Sequence, residues 1–295
     1  MKHKILIIGA GEMGKALSSV LKQKKGVEIK FWDKNPRLSS SKDIDELVKG
    51  AQYIFLCVPS PAIMQVTYDI KPYLKRDVLV VSLTKGIEKE TNKFSSEILR
   101  KRFGKNRIAI MAGPMLAEEI NKGLSTKVTT GSTKNNFEKL EALLNGTNLH
   151  VEHSPDIKGV SIAGVLKNIY ALGLGIIDGL GLGSNAKGVF MNVAVLEMEA
   201  ILKRLGGKSD TALMLAGIGD LEATGNSPFS TNFIVGQKIA SGGRGKLISE
   251  GSVSIEPLSK RLGNKDLPPA LSAIRKSIKN PKKAREIFIA LVKNA

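Results

Sequence analysis

A chain of 295 residues with 42% hydrophobic and 24% charged side chains has the length for two domains of ordinary size and the balance of a soluble globular protein. It lacks a charged start, apolar middle and small-residue cleavage site in succession, and an uninterrupted apolar run of about 20 residues, so a cytoplasmic protein without a membrane span is expected. The formal net charge of +18 points to nucleic acid or small anionic ligands, but with aromatics at only 5% base stacking has few candidates, and specific nucleic-acid binding is not expected.

The chain opens with an apolar strand, residues 5–8, that runs into Gly9-x-Gly11-x-x-Gly14 and then a helix-period segment through Leu21. Such a glycine set between strand and helix has a specific physics. Gly9 permits the tight turn, Gly11 lets a pyrophosphate approach the backbone, and Gly14 lets the helix lie close on the strand. The helix N-terminus then offers free N–H groups and partial positive charge to the phosphates. A second strand, 27–32, ends at Asp33, at the distance where an acid hydrogen-bonds the adenosine ribose. A carboxylate there opposes a 2′-phosphate and favours NAD over NADP, a preference that Lys34 and Arg37 soften.

Further alternation follows, with a short helix at 43–49, a strand at 53–58, a helix at 62–74 and a strand at 78–82. This pattern predicts a Rossmann-type, doubly wound parallel sheet, whose ligands collect at the carboxyl ends of the strands. Two such ends are Cys57-Val58-Pro59-Ser60 and Leu83-Thr84-Lys85-Gly86, and the Lys85 ammonium can reach an anionic group. Cys57 is the only cysteine, which excludes an internal disulfide, and its apolar run predicts a buried, inert thiol. His3, His150 and His153 are too scattered for a metal site, and none is expected.

A strand at 107–111 leads to Gly113-Pro114, which starts a helix with Glu118 and Glu119 in its first turns. A strand at 125–130, a helix at 135–144 and a strand at 149–152 complete the sheet. His153-Ser154-Pro155-Asp156 reads as a linker, so the expected division is 1–154 and 155–295, the second part all-helical. Residues 188–205 are apolar on most faces and expected at the centre of that helical core, and apolar helices there make a homodimer plausible. The C-terminal stretch 256–295 carries ten Lys or Arg against three acids, with Ile274, Ile278, Ile287 and Leu291 spaced as amphipathic helices with solvated lysine faces.

Within the long apolar run from Ser161 to Lys187, Lys167 and Asn168 stand side by side among hydrophobic residues. Burying an unpartnered ammonium costs several kcal/mol, roughly, so the lysine either snorkels to water or is used. Farther on, Asp220 follows Gly217-Ile218-Gly219 with Thr224 four residues away, so on a helix both share one face. Asp220 taken alone reads better as an ordinary helix N-cap.

Taken together, the glycine set, Leu83-Thr84-Lys85-Gly86-Ile87-Glu88, Gly113-Pro114 with Ala117 and Glu119, Leu166-Lys167-Asn168, Asp178-Gly179-Leu180-Gly181-Leu182-Gly183-x-Asn185-x-Lys187 and Gly219-Asp220-Leu221-x-x-Thr224 resemble the NAD(P)-dependent glycerol-3-phosphate dehydrogenases over nearly the whole chain. The resemblance implies a Rossmann domain holding the nicotinamide cofactor and a helical domain supplying the substrate pocket. It further implies Lys167 as general base, with Asp220 and Thr224 orienting it. Lys85 and Asn168 would contact the substrate and Asn232 its phosphate. Cofactor contacts would come from Gly9, Gly11, Glu12, Met13 and Gly14, from Asp33 and Pro59, and from Lys85, Ala117 and Glu250. The product of such a site is a ketone formed by hydride and proton removal, which a lysine with a burial-lowered pKa can assist near neutral pH.

Three departures accompany the resemblance. Ser230-Thr231-Asn232 has Thr231 where the family usually carries arginine, and a lost charge-assisted phosphate contact is worth roughly 1.5–3 kcal/mol, about ten- to over a hundredfold in affinity. That loss keeps open a related reductase of another small hydroxy or imino acid, and a catalytically inactive dinucleotide-binding protein. Asp33 stands where many members carry a basic residue nearby, again favouring NAD. The segment between Asp33 and Asp43 is short, which implies a more open adenine side.

Overall fold

The computed structural model describes residues 2–243 and 245–295. Strand β1 (His3–Ile8) feeds α1 (Glu12–Leu21), β2 (Val27–Trp32) and α2 (Ile44–Gly50) follow, and then β3 (Tyr53–Leu56), α3 (Ile63–Ile70) and β4 (Leu79–Ser82). The chain continues through α4 (Ser95–Phe103), β5 (Ile108–Ala112), α5 (Ala117–Asn121), β6 (Thr126–Ser132), α6 (Lys134–Leu144) and β7 (Leu149–Ser154). After Ser154 the described residues form only helices: α7 (Ile157–Gly179), α8 (Gly183–Arg204), α9 (Asp220–Gly225), α10 (Thr231–Ala240), α11 (Glu250–Arg261), α12 (Pro269–Lys279) and α13 (Ala284–Lys293).

The sheet order is β2-β1-β3-β4-β5-β6-β7. The first five strands in sheet order, β2-β1-β3-β4-β5, pair in parallel, in keeping with the apolar runs 5–8 of β1, Tyr53–Leu56 of β3 and 79–81 of β4, since helices cover both faces. The expected all-parallel sheet needs correction at β5–β6, which is antiparallel, with β7 parallel to β6. The short α5 connection turns the chain back beside β5 instead of carrying it over the sheet, so Met111 opposes Thr130 in reversed register. The strand order reverses beside β1, and the crevice outside the carboxyl ends of β1 and β3 is where ligands of such sheets bind.

Strand β7 runs two residues past its expected end, through the His153-Ser154 pair, and Asp156 caps α7 by accepting from Gly159 N–H at 2.8 Å. Helix α7 is the axis of the helical part. Its segment from Ile157 to Ile177 is buried with the sole exception of a half-buried Lys158, and it packs on β5, β6, α8, α9, α10 and α11. With mean hydropathy 1.7 over its most apolar window it is long and apolar enough to cross a membrane, yet that whole window is enclosed by protein.

The central position expected of 188–205 therefore belongs to α7. Helix α8 buries one face, through Phe190, Ala194, Met198, Ile201 and Leu202, and leaves Leu196 exposed. Its buried acid, Glu197, has a structural use. Pro268 leaves the N-terminus of α12 without a side-chain cap, and Glu197 supplies one from outside, accepting from Ala270 N–H at 2.6 Å, Leu271 N–H at 3.0 Å and the Tyr170 hydroxyl at 2.8 Å.

Glycines let α10 cross α7 at backbone distance. A Cβ on Gly236 would lie 2.3 Å from the Leu172 carbonyl oxygen, and one on Gly175 would lie 2.1 Å from that of Phe233. Backbone cannot yield as a side-chain end can, so Gly236→Ala sets roughly 1–3 kcal/mol or more of overpacking against about 1 kcal/mol of helix propensity gained. The expected net loss of about 1–2 kcal/mol is read as a lower urea midpoint at unchanged slope; an unchanged or higher midpoint would show that α10 does not rest on this contact.

Candidate active site

The glycine loop takes the expected form. Gly9 has φ +101°, and a Cβ there would press to 2.6 Å on the Cys57 carbonyl oxygen at the end of β3, so no other residue fits. A Cβ on Gly14 would meet the Gly9 carbonyl oxygen at 2.0 Å, which is the close strand-to-helix approach. Around Gly11 the reverse holds: a Cβ would meet nothing within 4 Å, and α1 begins there without a side-chain cap. Open space over an uncapped ten-residue helix N-terminus fits a pyrophosphate. Asp33 is already engaged with backbone, accepting from Ala10 N–H at 2.8 Å and Asn35 N–H at 2.9 Å, so it ties β2 to the loop and keeps lone pairs for a further donor. The short segment after it folds back through a turn at Pro36–Leu38, with Ser39 and Ser40 bonded to the end of β2.

A cleft of about 550 Å³ opens from this loop toward the helical part. Glu12, Met13, Pro59, Lys85 and Ala117 line it from the sheet side, and Lys167, Asn168, Thr224, Asn232 and Glu250 from the helices. Gly9, Gly11, Gly14 and Asp33 are not among its lining residues. Asp220 lies beneath it, 1% exposed. Cys57 is half-buried on the cleft wall rather than buried as expected, with desolvation pushing its thiol up to about 12.

Under the cleft floor two lysines share one carboxylate. Lys167 Nζ lies 2.9 Å from Asp220 Oδ1, and Lys85 Nζ lies 2.6 Å from Asp220 Oδ2. Gly113 N–H is a third donor to the carboxylate, reaching Oδ2 at 3.1 Å, while Lys85 also donates to the Gly113 carbonyl at 2.9 Å. Thr224 accepts from Lys167 at 2.7 Å and donates to Asp220 Oδ1 at 3.2 Å. The i,i+4 spacing of Asp220 and Thr224 on α9 thus places both on one face, and the π-helical turn Leu215–Gly219 leads α9 in at this depth.

Snorkelling is excluded for Lys167, whose side chain is 8% exposed. Burial lowers its pKa to about 8, with Lys85 adding to the fall and Asp220 opposing it. Burial also disfavours the charged Asp220, but the two ammonium groups outweigh it and hold that carboxyl below its usual range. The cluster carries one net positive charge. Of the three Lys167 N–H donors, Thr224 and Asp220 take two, and one remains for a ligand in the cleft.

A line of amides ties the parts around this cluster. Asn168 donates to the Lys85 carbonyl at 2.8 Å, Asn232 donates to Asn168 Oδ1 at 2.9 Å, and Gly251 N–H donates to Asn232 Oδ1 at 2.9 Å. Asn232 therefore spends most of its amide on neighbours and keeps one N–H for a ligand. Glu250 accepts from Ser60 N–H at 3.0 Å and Ser60 Oγ at 2.7 Å, closing α11 on the turn after β3. Its carboxyl is raised by burial, which the Ser60 bonds partly offset. Sequence reading missed both the Ser60–Glu250 pair and the Lys85–Asp220 pair, whose members are 190 and 135 positions apart.

The chain matches the model of the NAD-dependent glycerol-3-phosphate dehydrogenase N-terminus over residues 34–138 and that of the C-terminus over 156–286. A glycerol-3-phosphate dehydrogenase [NAD(P)+] of Clostridium perfringens is 32% identical over 84% of this chain and 81% of its own length. This chain belongs to the NAD-dependent glycerol-3-phosphate dehydrogenase family. The Moorella thermoacetica member is 35% identical over 79% of this chain and 76% of its own. The crystal structure of the Coxiella burnetii glycerol-3-phosphate dehydrogenase superposes with a TM-score of 0.87 at 26% identity, covering 98% of this chain and 99% of that one. A ketopantoate reductase from Ralstonia eutropha, at 20% identity and TM-score 0.60, shares the fold alone.

Removing the Asp220 charge leaves two buried ammonium groups without a counter-ion. Asp220→Asn is expected to cost about 3–5 kcal/mol near pH 7. Because folded Lys167 titrates at about 8 against 10.5 unfolded, the unfolded state binds more protons between those values, and stability from this group rises with pH across that window. Without Asp220 the Lys167 amine titrates lower still, so the variant's deficit is expected to be smaller at pH 10, where Lys167 is neutral with or without the carboxylate, than at pH 7. Urea unfolding at both pH values checks this, and a deficit that is small at pH 7 or constant with pH counts against the shared-carboxylate account.

Proposed function

We propose that this chain interconverts sn-glycerol 3-phosphate and dihydroxyacetone phosphate, with NAD as the preferred hydride carrier and NADP accepted, and with Lys167 as the general acid and base. The observation that carries the reading is the Lys167 ammonium, lowered to about 8 and fixed by Thr224 and Asp220 at the floor of a cleft that begins on a dinucleotide-type glycine loop.

Residues 1–154 hold the dinucleotide in this scheme, and 155–295 form the substrate pocket. Gly9, Gly11 and Gly14 form the pyrophosphate cradle with Glu12 and Met13 at the head of α1, and Asp33 receives the ribose. Pro59, Ala117 and Glu250 border the remainder of the cofactor, with Lys85 at its inner end. Held by these residues, a nicotinamide would supply the hydride chemistry at the substrate carbon. In the oxidative direction neutral Lys167 takes the hydroxyl proton. In the reductive direction its ammonium gives a proton to the developing alkoxide, and the net positive cluster stabilises that oxyanion as it forms. Asp220 and Thr224 hold the amine in place throughout, while Lys85 and Asn168 bound the substrate beside it.

The substrate phosphate falls to the α10 N-terminus. Ser230 caps that helix, and Thr231 and Asn232 line the cleft at its first turn, where backbone N–H groups and helix dipole favour an anion. Thr231 brings a hydroxyl in place of a guanidinium. Lys122, whose Nζ lies 5.3 Å from the centroid of the Phe229 ring on the cleft wall, brings a further cation to this rim. A cytoplasmic location and a homodimer complete the reading, the second supported by Leu196 on α8 and Ile289 on α13, apolar side chains left exposed on the helical part.

NADH oxidation with dihydroxyacetone phosphate tests the assignment. Lys167→Ala is expected to lose about 10²–10⁴-fold in kcat, and an unaffected rate would end the role given to it. For the intact chain kcat/KM for reduction is expected to fall as pH rises through about 8, where the proton donor is lost, and kcat/KM for oxidation to rise over the same interval. A flat profile in both directions would separate Lys167 from proton transfer. Thr231→Arg adds a charge-assisted phosphate contact, so KM for dihydroxyacetone phosphate is expected to drop about tenfold or more; no change would place the phosphate elsewhere.

A further inference from the structure

A second cavity of about 670 Å³ lies away from the cleft, where α4 meets the start of α7. Arg100 and Lys101 of α4, Lys105 just beyond it and Lys158 in the first turn of α7 all line it. Arg100, Lys101 and Lys105 make no ion pair among the described residues, and Lys158 comes no closer than 3.9 Å to Glu97. The two acids on the wall are committed elsewhere. Glu97 receives the Arg261 guanidinium through both of its oxygens and Phe94 N–H at 3.0 Å. Asp156 accepts from Gly159 N–H, Lys208 N–H at 2.7 Å and the Thr211 hydroxyl at 2.9 Å. Four cations thus face one cavity with little left to answer them.

Two further features point to what fills it. Helix α7 is 23 residues long, and Asp156, Ile157 and Lys158 at its positive end line the cavity. Ser96, on the same wall and only 3% exposed, has a hydroxyl with no hydrogen-bond partner among the described residues. A buried hydroxyl left unpaired costs free energy unless a partner arrives. Ser96 and Arg100 are one turn apart on α4, and both line the cavity.

We propose that this cavity binds a small phosphate-bearing anion, with at least two negative charges, separate from the substrate's phosphate. The Ser96 hydroxyl donates to one oxygen, Arg100 and Lys158 pair with the charge from the two helices, and Lys101 and Lys105 hold it at the mouth. The size and the number of cations favour a diphosphate or a phosphomonoester over a monovalent ion. The same anion stands at the head of the helix that carries Lys167 ten residues on. The site does not depend on the proposed activity, and its test does not use turnover.

Pyrophosphate is the probe, added to the full chain at fixed ionic strength, with backbone hydrogen exchange as the readout. Protection is expected at 157–159, the first turn of α7, with one-to-one stoichiometry by calorimetry. The double variant Arg100→Gln, Lys105→Gln, which changes only exposed side chains, is expected to weaken that binding about tenfold or more. Ser96→Ala is expected to weaken it by a smaller factor with unchanged circular dichroism. Protection confined to 231–233 would show that pyrophosphate enters only the cleft, and would overturn the proposal. So would undiminished binding in the double variant, or protection reproduced by chloride at equal ionic strength.

Discussion

Two ammonium groups and one carboxylate, all withdrawn from water, set the terms for the rest of this molecule. A single buried Lys–Asp pair balances at best the cost of desolvating its charges. Here Asp220 answers both Lys85 and Lys167, and the surplus charge must be held by geometry. The Gly113 N–H and the Thr224 hydroxyl supply the remaining hydrogen bonds to the carboxylate, so none of the contributing elements can shift alone. Those elements come from both parts of the chain: the ends of β4 and β5, the middle of α7 and the start of α9. Burial, with the Lys85 charge adding to it, is what lets Lys167 reach neutrality near pH 8 while remaining paired.

Such a cluster needs a rigid surround, and glycine is how the helical part provides it. Along α7, Gly173 faces the Phe190 ring, Gly175 the backbone of α10, and Gly179 the Gln237 backbone and the Ala240 side chain, so that two helices lie closer than any side chain permits. The close approach carries Asn232 within 2.9 Å of Asn168, and through Asn168 fixes the backbone of Lys85. Glycine normally weakens a helix by about 1 kcal/mol per residue. In α7 the enclosure by neighbouring helices offsets that, so a helix rich in glycine runs unbroken for 23 residues. Glu197 extends the same logic, since an acid on the inner face of α8 caps α12 and so fixes the outer helices to the inner one.

Local patterns made much of this legible. The glycine loop is readable because Gly14 answers the Gly9 carbonyl within a single βα unit, although the Cys57 carbonyl that Gly9 must clear lies beyond it, and the buried ammonium is readable because Lys167 interrupts an apolar run. Strand direction is another matter. Alternation and burial are the same in β6 whether it runs with β5 or against it, so Thr126–Ser132 carries no mark of its reversal. Helix α4 carries no clear periodicity because its mean composition is polar, with Arg100, Lys101 and Arg102 in its last turn, and of its buried residues only Ile98, Leu99 and Phe103 are apolar. The centrality expected of α8 went instead to α7, because counting apolar residues does not say which of two adjacent hydrophobic helices has neighbours on every side. Pairings such as Ser60 with Glu250 lie beyond any periodicity. They depend on how the two parts meet.

That meeting is where the chemistry resides. Were the sheet and the helical part joined only by the turn at Pro155, the separation between the glycine loop and Lys167 would vary with every hinge motion. Instead one hydrophobic cluster runs from Leu6, Ile54 and Val80 in the sheet to Val165, Ile169 and Leu258 in the helices. Polar ties cross at its upper edge: Glu250 to Ser60, Asn168 to the Lys85 carbonyl, and Asp220 to Lys85 and Gly113. Apolar burial resists separation without fixing register, whereas these bonds are directional and specify which atoms meet. The Lys167 nitrogen is therefore held in the cleft it shares with Glu12 and Met13 of the glycine loop by contacts made at the same seam, and a change that slackens the seam reaches Lys167 without touching it.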